Sequence, residues 1–538
     1  MAILNTMTLV GLWRFIEKQV RKGKRSPFEY VVLATIAVLV GAILKYPNRA
    51  IFTRSRPDLK DKTASALPIV GNMAQMLRNS SDSLGSMDKA FKHFGTYFSL
   101  SVPIFGRMIA VNTPEHYEHI MKTNFNNYIK GRLLRENLED ILGGGIFVAD
   151  QDAWRFHRKT AANIFTTKLY RQLVEGAFHD SGLDLCSVLD RYRVTNKPID
   201  LQANFLKLTL DAFGKLTFGL EFEALKNDGP NEFGDAFDYL TTMVDGRVSN
   251  PFWFITDKLV PGKVRKIKEA IGTLDKFAAQ AVKKRREETE EEKEARPRDL
   301  LDHFINHVAD DGTMLTDVEL RDVFVNFMIA GRDTTAQALT WQFFSLMSNP
   351  RVMHNLVREI DIVLQGNRTY TYEVMMQDLP YLKAVFHETL RLYPPVPKNF
   401  KQAVDHDVLP GGTRVYPGDM IAISPWCMAR NQDVWGVDAE LFVPERWLDT
   451  SVEPSTRENA SPFGKFRVES PFKFPTFNAG PRLCLGQTFA TLEAFVTTCM
   501  LLQRFNFKFA PGHHGPEYKG SVTLPMAFPL LAILTVRD

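Results

Sequence analysis

Cys484 ends a short segment whose residue types suit a metal-binding thiol. The segment reads Phe477-Asn478-Ala479-Gly480-Pro481-Arg482-Leu483-Cys484-Leu485-Gly486, and its glycines and proline predict a rigid loop with little side-chain bulk. A helical run rich in apolar residues begins directly after it, at Gln487. Backbone N–H groups and the dipole at a helix N-terminus stabilise a thiolate, so this position favours a cysteine that can bind a metal.

The donor set around Cys484 limits which metal group the thiolate could hold. A zinc site normally needs four ligands, and no second cysteine or histidine lies close by in the sequence. Haem brings four equatorial ligands of its own and takes a single axial thiolate, so it fits this arrangement. The alternative is a cysteine that is simply buried, which is the commoner fate of one cysteine before a helix. Cys186, Cys427 and Cys499 lack such a setting and are predicted to be small core residues.

Two pairs of polar residues have the spacing of one helix face. Glu388 and Arg391 are three residues apart, and Trp154 and Arg158 are four apart. A carboxylate and a guanidinium that face a core must pair, because an isolated buried charge is very costly. Outside any further context, however, a solvated helix surface is the favoured interpretation of each pair.

Thr334 follows Asp333 in the middle of the longest predicted helix. Thr316-Asp317-Val318-Glu319 is a capping-box pattern, and the amphipathic run continues to about Ser348, where Asn349-Pro350 ends it. A helix of about 32 residues is near 48 Å long, enough to cross a whole domain. A threonine hydroxyl inside it can bond backward to a carbonyl and disturb the local ladder, which can open a groove for small molecules.

The remaining patterns predict a mainly α-helical fold with small β-sheets, an α+β class. Pro380 is expected to open another helix, which Pro394-Pro395 terminates. The strand-like segments are shorter and comprise Tyr97–Val102, Arg107–Val111 and Met420–Ser424. No repeat and no obvious boundary follows residue 66, so residues 67–538 are predicted to form one large domain.

Composition and charge divide the chain into a basic leader and a mildly acidic body. Of the 538 residues, 45% are hydrophobic and 24% charged, which is typical of a globular protein, and four cysteines exclude a disulfide-stapled scaffold. Residues 1–62 hold 12 basic and 4 acidic side chains, a net charge of +8. The other 476 residues hold 54 and 58, a net charge of −4. The near-neutral total of +4 therefore combines two unlike parts.

Residues 28–46 are predicted to be a transmembrane anchor. The run reaches about 19 residues with Glu29 as its one acidic interruption, just enough to span a bilayer. A buried core helix or a signal peptide is the alternative, but no small-residue cleavage site follows.

The segments that flank this run are basic. Residues 1–27 are predicted to be a basic amphipathic leader lying on an anionic membrane surface, with insertion of Met1–Ile16 as the less favoured alternative. Residues 47–66 are predicted to be a basic linker. Six basic residues precede the uncharged stretch Tyr30–Leu44 and six follow it, so charge does not orient the span.

The cysteine segment resembles the haem-binding loop of the cytochrome P-450 superfamily, the haem-thiolate monooxygenases. Every fixed position of that family's pattern (Phe, two Gly, Arg and Cys) is met. Three further motifs occur in the family's order: Ala330-Gly331-Arg332-Asp333-Thr334-Thr335, Glu388-Thr389-Leu390-Arg391 and Pro444-Glu445-Arg446-Trp447. Trp154 with Arg158 is a fourth match. The resemblance covers roughly residue 67 to the C-terminus and implies the cytochrome P-450 fold, preceded here by an N-terminal transmembrane helix.

The resemblance implies which residues bind the cofactor, haem b. Cys484 is the expected proximal thiolate ligand of the iron, and its electron push favours cleavage of dioxygen. Phe477, Gly480 and Gly486 are the loop positions around it. The expected ligands of the haem propionates are the following residues: Arg482, Trp154, Arg158 and Lys401.

The resemblance also implies catalytic and structural roles. Thr334 is expected to support dioxygen activation and proton delivery, with Asp333 in the relay and Gly331 leaving space for dioxygen. The intact acid–alcohol pair argues against family members that only rearrange peroxides. Glu388, Arg391 and Arg446 are expected to lock the structure around the haem-binding loop without taking part in the chemistry.

The sequences in and around these motifs resemble those of the fatty-acid and alkane terminal (omega) hydroxylases of plants and yeasts. The segment SPFKFPTFNAGPRLCLGQ is particularly close to the plant fatty-acid hydroxylases. The implied reaction inserts one oxygen atom of O2 near the end of a long-chain fatty acid, and the other leaves as water. The pocket candidates are Phe327, Ala330, Val396 and Leu524. The alternatives are the same chemistry on an alkane, sterol, terpenoid or xenobiotic, and, from a different class, a non-catalytic haem-binding membrane protein.

The resemblance finally implies partners and a location. Only 54 residues follow Cys484, and no flavin or nicotinamide domain is evident among them. Electrons are therefore expected from NADPH through a separate flavoprotein reductase, with cytochrome b5 as a second candidate donor. The other expected partners are the lipid bilayer and a lipophilic small molecule, and no nucleic acid. The implied location is the endoplasmic reticulum membrane, single-pass, with the catalytic domain in the cytosol.

Overall fold

The structure is a computed structural model that describes residues 27–162, 165–227, 229, 231–250, 252–294, 296, 299–306, 314–366, 370–449, 451–452 and 459–537. Its first helices are α1 Pro27–Lys45, α2 Met73–Arg78, α3 Ser83–Phe94, α4 Pro114–Glu118, α5 Gly131–Leu142, α6 Gln151–Ala162, α7 Thr167–Glu175, α8 Ala177–Val194, α9 Leu201–Phe218, α10 Glu232–Ser249 and α11 Trp253–Leu259. The later ones are α12 Lys263–Glu287, α13 Glu290–Glu294, α14 Leu300–Ile305, α15 Asp317–Met328, α16 Thr334–Ser348, α17 Pro350–Leu364, α18 Pro380–Leu392, α19 Pro425–Arg430, α20 Gln432–Trp435 and α21 Gln487–Arg504. The prediction of a mainly helical fold is confirmed.

The strands are short and form small sheets. They are β1 Tyr97–Val102, β2 Gly106–Val111, β3 Tyr128–Ile129, β4 Ile199–Asp200, β5 Asn399–Ala403, β6 Asp407–Val408, β7 Arg414–Val415, β8 Met420–Ile423, β9 Leu448–Asp449, β10 Lys465–Phe466, β11 Phe505–Phe509 and β12 Leu531–Val536. The largest sheet has the order β1-β2-β8-β5-β3, and β11-β12-β4 form a second. In the largest sheet β2 and β8 are parallel and the other neighbours antiparallel. The predicted strands at residues 97, 107 and 420 are present within one residue of their expected bounds.

α1 is the one helix of the described residues that is long and apolar enough to cross a membrane. None of its span Phe28–Lys45 is buried against the rest of the protein, which suits a helix in lipid rather than in a core. The predicted leader, including the alternative span Met1–Ile16, lies outside the described residues except for Pro27.

The long central helix is present and is interrupted once. Thr316 caps α15, and the reciprocal bonds of the predicted capping box with Glu319 are both formed. A π-helical turn over Ile329–Asp333 then joins α15 to α16. Along this helix nearly every side chain is buried, so it passes through the core rather than along its surface.

Candidate active site

The loop before α21 is held in shape by its own backbone. It contains two short 3-10 turns, Pro475–Phe477 and Gly480–Arg482, and the Cys484 amide donates to the Phe477 carbonyl at 2.8 Å. The Thr476 hydroxyl donates to the Leu390 carbonyl at 3.1 Å, which fixes the loop to the end of α18. Cys484 therefore lies three residues before the first turn of α21, as its sequence position predicts.

Gly480 is required by a close approach of two backbones. Its φ is +62°, and a Cβ added there would lie 2.1 Å from the Met121 carbonyl oxygen. A side chain at this position would push the loop away from the segment before β3. Gly486 differs, because its φ is −86° and no protein atom stands within 4 Å of an added Cβ. The space beside Gly486, next to Cys484, is open.

Cys484 is an exposed residue, whereas Cys186, Cys427 and Cys499 are buried, as predicted for small core residues. Protein atoms packed around the loop nevertheless reduce the solvation of its thiolate, which raises the pKa of Cys484, and the Gly486 amide and the Arg158 guanidinium oppose that shift. A thiol of this kind becomes a thiolate ligand when a bound cation compensates its charge.

Arg158, Trp154 and Arg482 lie together beside this loop. Arg158 Nη1 on α6 donates to the Leu483 carbonyl, one residue before the cysteine. The Arg482 guanidinium stacks over the Trp154 ring, 4.7 Å from its centre. The two α6 residues thus share the face that meets the loop, in agreement with their four-residue spacing.

Three buried cations share a single buried carboxylate near Arg482. Arg482 Nη2 donates to Asp150 Oδ1 at 3.0 Å, and its Nε has no partner among the described residues. Burial lowers the pKa of Arg482 to about 10. Burial, with Arg482 nearby, lowers the pKa of Lys130 to about 8. Lys401 is 2% exposed, and burial with the neighbouring Lys130 lowers its pKa well below the usual range.

This excess of buried positive charge fits a group that brings its own carboxylates. Buried charges are costly unless they are paired, and Asp150 cannot balance three cations. Haem would supply propionate carboxylates. Cys484 offers a thiol for its iron, and the space beside Gly486 is open. The donor set of this chain therefore fits haem.

Thr334 opens α16 directly after the π-helical turn. Its hydroxyl donates to the Ala330 carbonyl at 2.6 Å, which is the backward bond expected from the sequence. Ala330 and Thr334 are the half-buried residues of this stretch, while the three residues between them are buried. A π-helical turn often marks a functional site, and here it presents one small and one hydroxyl side chain on the same face.

Asp333 is committed to a buried ion pair. Arg332 Nη1 lies 2.8 Å from Asp333 Oδ1 and 2.6 Å from Asp238 Oδ1 on α10. Burial raises the pKa of Asp333 to about 6, with Arg332 opposing the shift and Asp238 adding to it. A carboxyl with a pKa near neutrality can take up and release a proton at working pH.

The structure shows what occupies the position of the missing Gly331 side chain. A Cβ added to Gly331 would lie 2.0 Å from the Phe213 ring of α9, so the absence of a side chain admits that ring. The expected role of Gly331, leaving space for dioxygen, stays a prediction. The half-buried Ala330 is the small residue on the accessible face.

Glu388, Arg391 and Arg446 meet in the core. Arg391 donates from Nε and Nη2 to both oxygens of Glu388 at 2.8 Å, and both side chains are fully buried. Arg446 Nε adds a bond to Glu388 Oε1 at 3.0 Å, and Trp447 Nε1 one to Oε2 at 2.9 Å. The cluster joins α18 to the 3-10 turn Pro444–Trp447, and it has no accessible face for chemistry.

The four pocket candidates divide into two kinds. Ala330 is half-buried and Val396 is 38% exposed, so both have surface available to a ligand. Phe327 is 7% exposed and packs against Phe304 with ring centres 6.1 Å apart. Leu524 is 1% exposed, and its carbonyl accepts the Trp341 indole N–H. Phe327 and Leu524 are core residues here, because their faces are taken by neighbouring helices.

A largely apolar cavity of about 540 Å³ lies between α3, α5 and the five-stranded sheet. Phe98, Leu100, Met108 and Phe400 form part of its wall on the sheet. Its lining also includes Ala64 and Ser65, close to the joint with α1. A cavity of this size and character suits an apolar ligand.

Sequence reasoning missed Lys130, Asp150 and the cavity. Asp150 directly precedes α6, which contains Trp154 and Arg158, so its position next to that pair in the sequence could have identified it as a site residue. It also accepts from the Lys130 amide at 2.8 Å. Nothing in the spacing links Lys130 to Lys401, 271 positions later, because the sheet brings them together.

Comparison with known proteins gives one consistent family. The sequence model described as "Cytochrome P450" matches residues 62–527. Cytochrome P450 monooxygenase cyp1 of Mycosarcoma maydis is 33% identical over 536 residues, covering 96% of this chain and 81% of the relative. Cytochrome P450 86B1 of Arabidopsis thaliana is 35% identical (79% and 76% covered), and cytochrome P450 CYP94D108 of Paris polyphylla is 33% identical (84% and 88% covered).

Proposed function

We propose that this chain, which belongs to the cytochrome P450 family and is therefore a monooxygenase, hydroxylates the terminal carbon of a long-chain fatty acid. The observation that carries the choice of substrate is the apolar cavity of about 540 Å³ whose lining includes Ala64 and Ser65, near the joint with α1. An acyl chain partitions into the bilayer, so a cavity lined in part by the segment that follows α1 is suitably located to receive it. The motif wording that resembles plant fatty-acid hydroxylases points the same way.

The haem-binding residues have distinct tasks in this proposal. Bound haem b would supply the oxygen-activating iron, with electrons delivered by a reductase. Cys484 would provide the thiolate ligand of the iron. The hydrogen bond from the Cys484 amide to the Phe477 carbonyl, and that from the Thr476 hydroxyl to Leu390, keep the loop in place. The haem propionates would be held by Arg482, Trp154, Arg158, Lys130 and Lys401, which would neutralise the buried positive charge.

Thr334 and Asp333 move protons in this proposal. The Thr334 hydroxyl donates to Ala330 in the structure, and it can rotate toward a ligand because its side chain is half-buried. Burial raises the pKa of Asp333 to about 6, and Arg332 holds its ionised form, so uptake of a proton by Asp333 requires a change in that ion pair. Glu388, Arg391 and Arg446 keep the loop and α18 in register without touching the substrate.

The proposed setting is the endoplasmic reticulum membrane, with α1 as a single span and the catalytic domain in the cytosol. The exposed apolar surface of α1 supports the anchor. P450 monooxygenases need a redox partner, and we assign this role to an NADPH-dependent flavoprotein reductase, with cytochrome b5 as an auxiliary donor. Both assignments follow from the family and from the anchor.

A carbon monoxide difference spectrum tests the ligand assignment. The reduced full-length protein should show the Soret band typical of a thiolate-ligated haem, and Cys484→Ala should abolish it. Cys186→Ala is the matched control, since it removes a buried cysteine of α8 outside the loop and should leave the band intact. A band that survives Cys484→Ala would refute the role of Cys484.

Turnover with a defined set of lipids tests the substrate. The full chain, reconstituted with a reductase in phospholipid vesicles, should convert saturated acids between lauric and stearic acid to terminal alcohols, read by mass spectrometry. Sterol, terpenoid and alkane substrates run in parallel as alternatives. Turnover of one of these with no hydroxylated acid would end the fatty-acid proposal and leave the monooxygenase assignment standing.

A further inference from the structure

The chain segment from Val396 to Lys401 borders both the cofactor site and the apolar cavity. Asn399 Oδ1 accepts from Lys130 Nζ at 3.1 Å, and Lys401 lies with Lys130 and Arg482 in the cation cluster. Lys398 and Phe400, which alternate with them, line the cavity. Successive side chains of an extended strand point to opposite faces, so this segment has a propionate side and a cavity side.

Lys398 is the one mostly buried cation among the described residues that line the cavity. Its side chain is 18% exposed, whereas the other basic lining residues, Lys89 and His93, are exposed on α3. No aspartate or glutamate is among the described lining residues. A cavity with an apolar wall and one mostly buried lysine in its lining matches a ligand with a long apolar body and an anionic end.

The present partner of Lys398 comes from a different element. Lys398 Nζ lies 3.1 Å from Asp245 Oδ1 on α10, and the Asp245 side chain is 13% exposed. Gly520 packs against the same carboxylate, because a Cβ there would lie 2.7 Å from Asp245 Oδ2. The pair thus stands where α10, the strand segment and the C-terminal loop meet.

The ammonium group of Lys398 can donate more hydrogen bonds than the one to Asp245. A lysine has three N–H donors, and Asp245 is the single ion-pair or hydrogen-bond partner of Lys398 Nζ in the described part of the chain. A second carboxylate approaching from the cavity would gain a charge-assisted hydrogen bond. Asp245 would oppose it by like-charge repulsion, so Asp245 sets how strongly an anion can bind.

We propose that Lys398 binds the carboxylate of an acyl-chain substrate in this cavity, and that Asp245 is its built-in competitor. This rests on the proposed function, since it names the residue that would distinguish a fatty acid from a neutral lipid. An acid and its methyl ester share the apolar body, so Lys398 should strengthen binding of the acid and not of the ester.

Binding of palmitic acid and methyl palmitate to the full chain, measured by calorimetric titration in phosphatidylcholine nanodiscs, tests the proposal. Lys398→Met should weaken binding of the acid by about tenfold, the factor that corresponds to 1.4 kcal/mol, and leave the ester unchanged. Asp245→Asn should tighten binding of the acid and leave the ester unchanged. Lys398→Arg keeps the charge and should retain binding of the acid even if Lys398→Met fails to fold.

The opposite signs for the two partners separate a carboxylate site from a structural salt bridge. If Lys398→Met and Asp245→Asn weaken the acid and the ester equally, the pair only holds α10 in place and the proposal is overturned. If Lys89→Met, and not Lys398→Met, abolishes binding of the acid, the carboxylate binds at α3 and the proposal is overturned as well. Turnover is measured separately, so an acid that binds through Lys398 without hydroxylation would fail the proposed function and not this one.

Discussion

Thr334 and Thr340 make the same local bond in different surroundings. Both hydroxyls donate to the carbonyl four residues earlier, at 2.6 and 2.7 Å. Thr340 is fully buried, whereas Thr334 is half-buried and follows the π-helical turn. Accessibility, and not residue type, therefore distinguishes the proposed catalytic hydroxyl from a structural one.

Replacement of Thr334 by alanine should preserve the fold and the haem and impair proton delivery. We expect Thr334→Ala to keep the thiolate-type carbon monoxide band while oxygen consumption becomes uncoupled from product, measured as product formed per O2 consumed. Thr340→Ala removes the same backward bond and should leave this ratio unchanged. Equal ratios for Thr334→Ala and the unmodified protein would contradict a proton-delivery role.

A second prediction at the residue scale concerns Glu388, whose carboxylate pairs with two guanidiniums. Glu388→Gln would leave Arg391 without an ion-pair partner among the described residues of the core, and Arg446 paired with Asp438 alone. We expect the free energy of unfolding to fall by about 3–5 kcal/mol, the usual cost of breaking a buried ion pair. Denaturant titration measures it. Glu440→Gln, which removes an exposed pair with Lys92, should cost less than about 1 kcal/mol and serves as control.

At the scale of elements, α9 keeps the π-helical turn in place. The Thr209 hydroxyl donates to the Arg332 carbonyl at 2.9 Å, which satisfies a backbone group within the turn. The Phe213 ring occupies the space that a side chain at residue 331 would need. The turn is thus supported from outside, by a helix that is more than 100 positions away in sequence.

This contact predicts a strong coupling between Gly331 and Phe213. Gly331→Ala should lower the free energy of unfolding by about 2 kcal/mol through overpacking. In the Phe213→Ala background the loss of stability caused by Gly331→Ala should be smaller by at least about 1 kcal/mol, because the ring is gone. Gly272→Ala on α12, where no atom stands within 4 Å, should instead be neutral or stabilising. If the changes in the free energy of unfolding of the two single variants add up to that of the double variant, the packing argument is contradicted.

At the scale of the whole molecule, the proposed anchor helix α1 is followed by a segment that is hydrogen-bonded to the rest of the described chain. Tyr46, the first residue after α1, is 9% exposed, and its carbonyl accepts from the Ile69 amide at 3.1 Å. The Ala50 amide donates to the Ser101 hydroxyl of β1 at 3.1 Å. The segment expected to be a linker is therefore hydrogen-bonded to the domain, and the direction of α1 is coupled to it.

The membrane assignment of α1 can be tested by one charge. Leu39, 51% exposed on α1, faces lipid in this proposal. Leu39→Arg should disfavour insertion by about 3 kcal/mol and move protein from the membrane pellet to the alkaline-carbonate supernatant. Leu77→Arg places the same charge at an exposed leucine outside the anchor and should leave the protein in the pellet. Retention of Leu39→Arg to the same extent as Leu77→Arg would contradict the span.

The sequence by itself determined the features that depend on near neighbours. The capping box at Thr316, the backward bond of Thr334 and the Glu388–Arg391 pair each involve residues within four positions, so helical geometry decides them. The mainly helical class and the start of α18 at Pro380 followed for the same reason.

Only the tertiary structure decided which face of each element meets which neighbour. It assigned Gly331 to Phe213, enclosed Phe327 and Leu524 in the core, and brought Lys130 and Lys401 to Arg482. It also placed Lys398 on the cavity side of its strand, opposite Asp245. Such contacts join residues separated by tens to hundreds of positions, and local propensity and spacing contain no information about long-range packing.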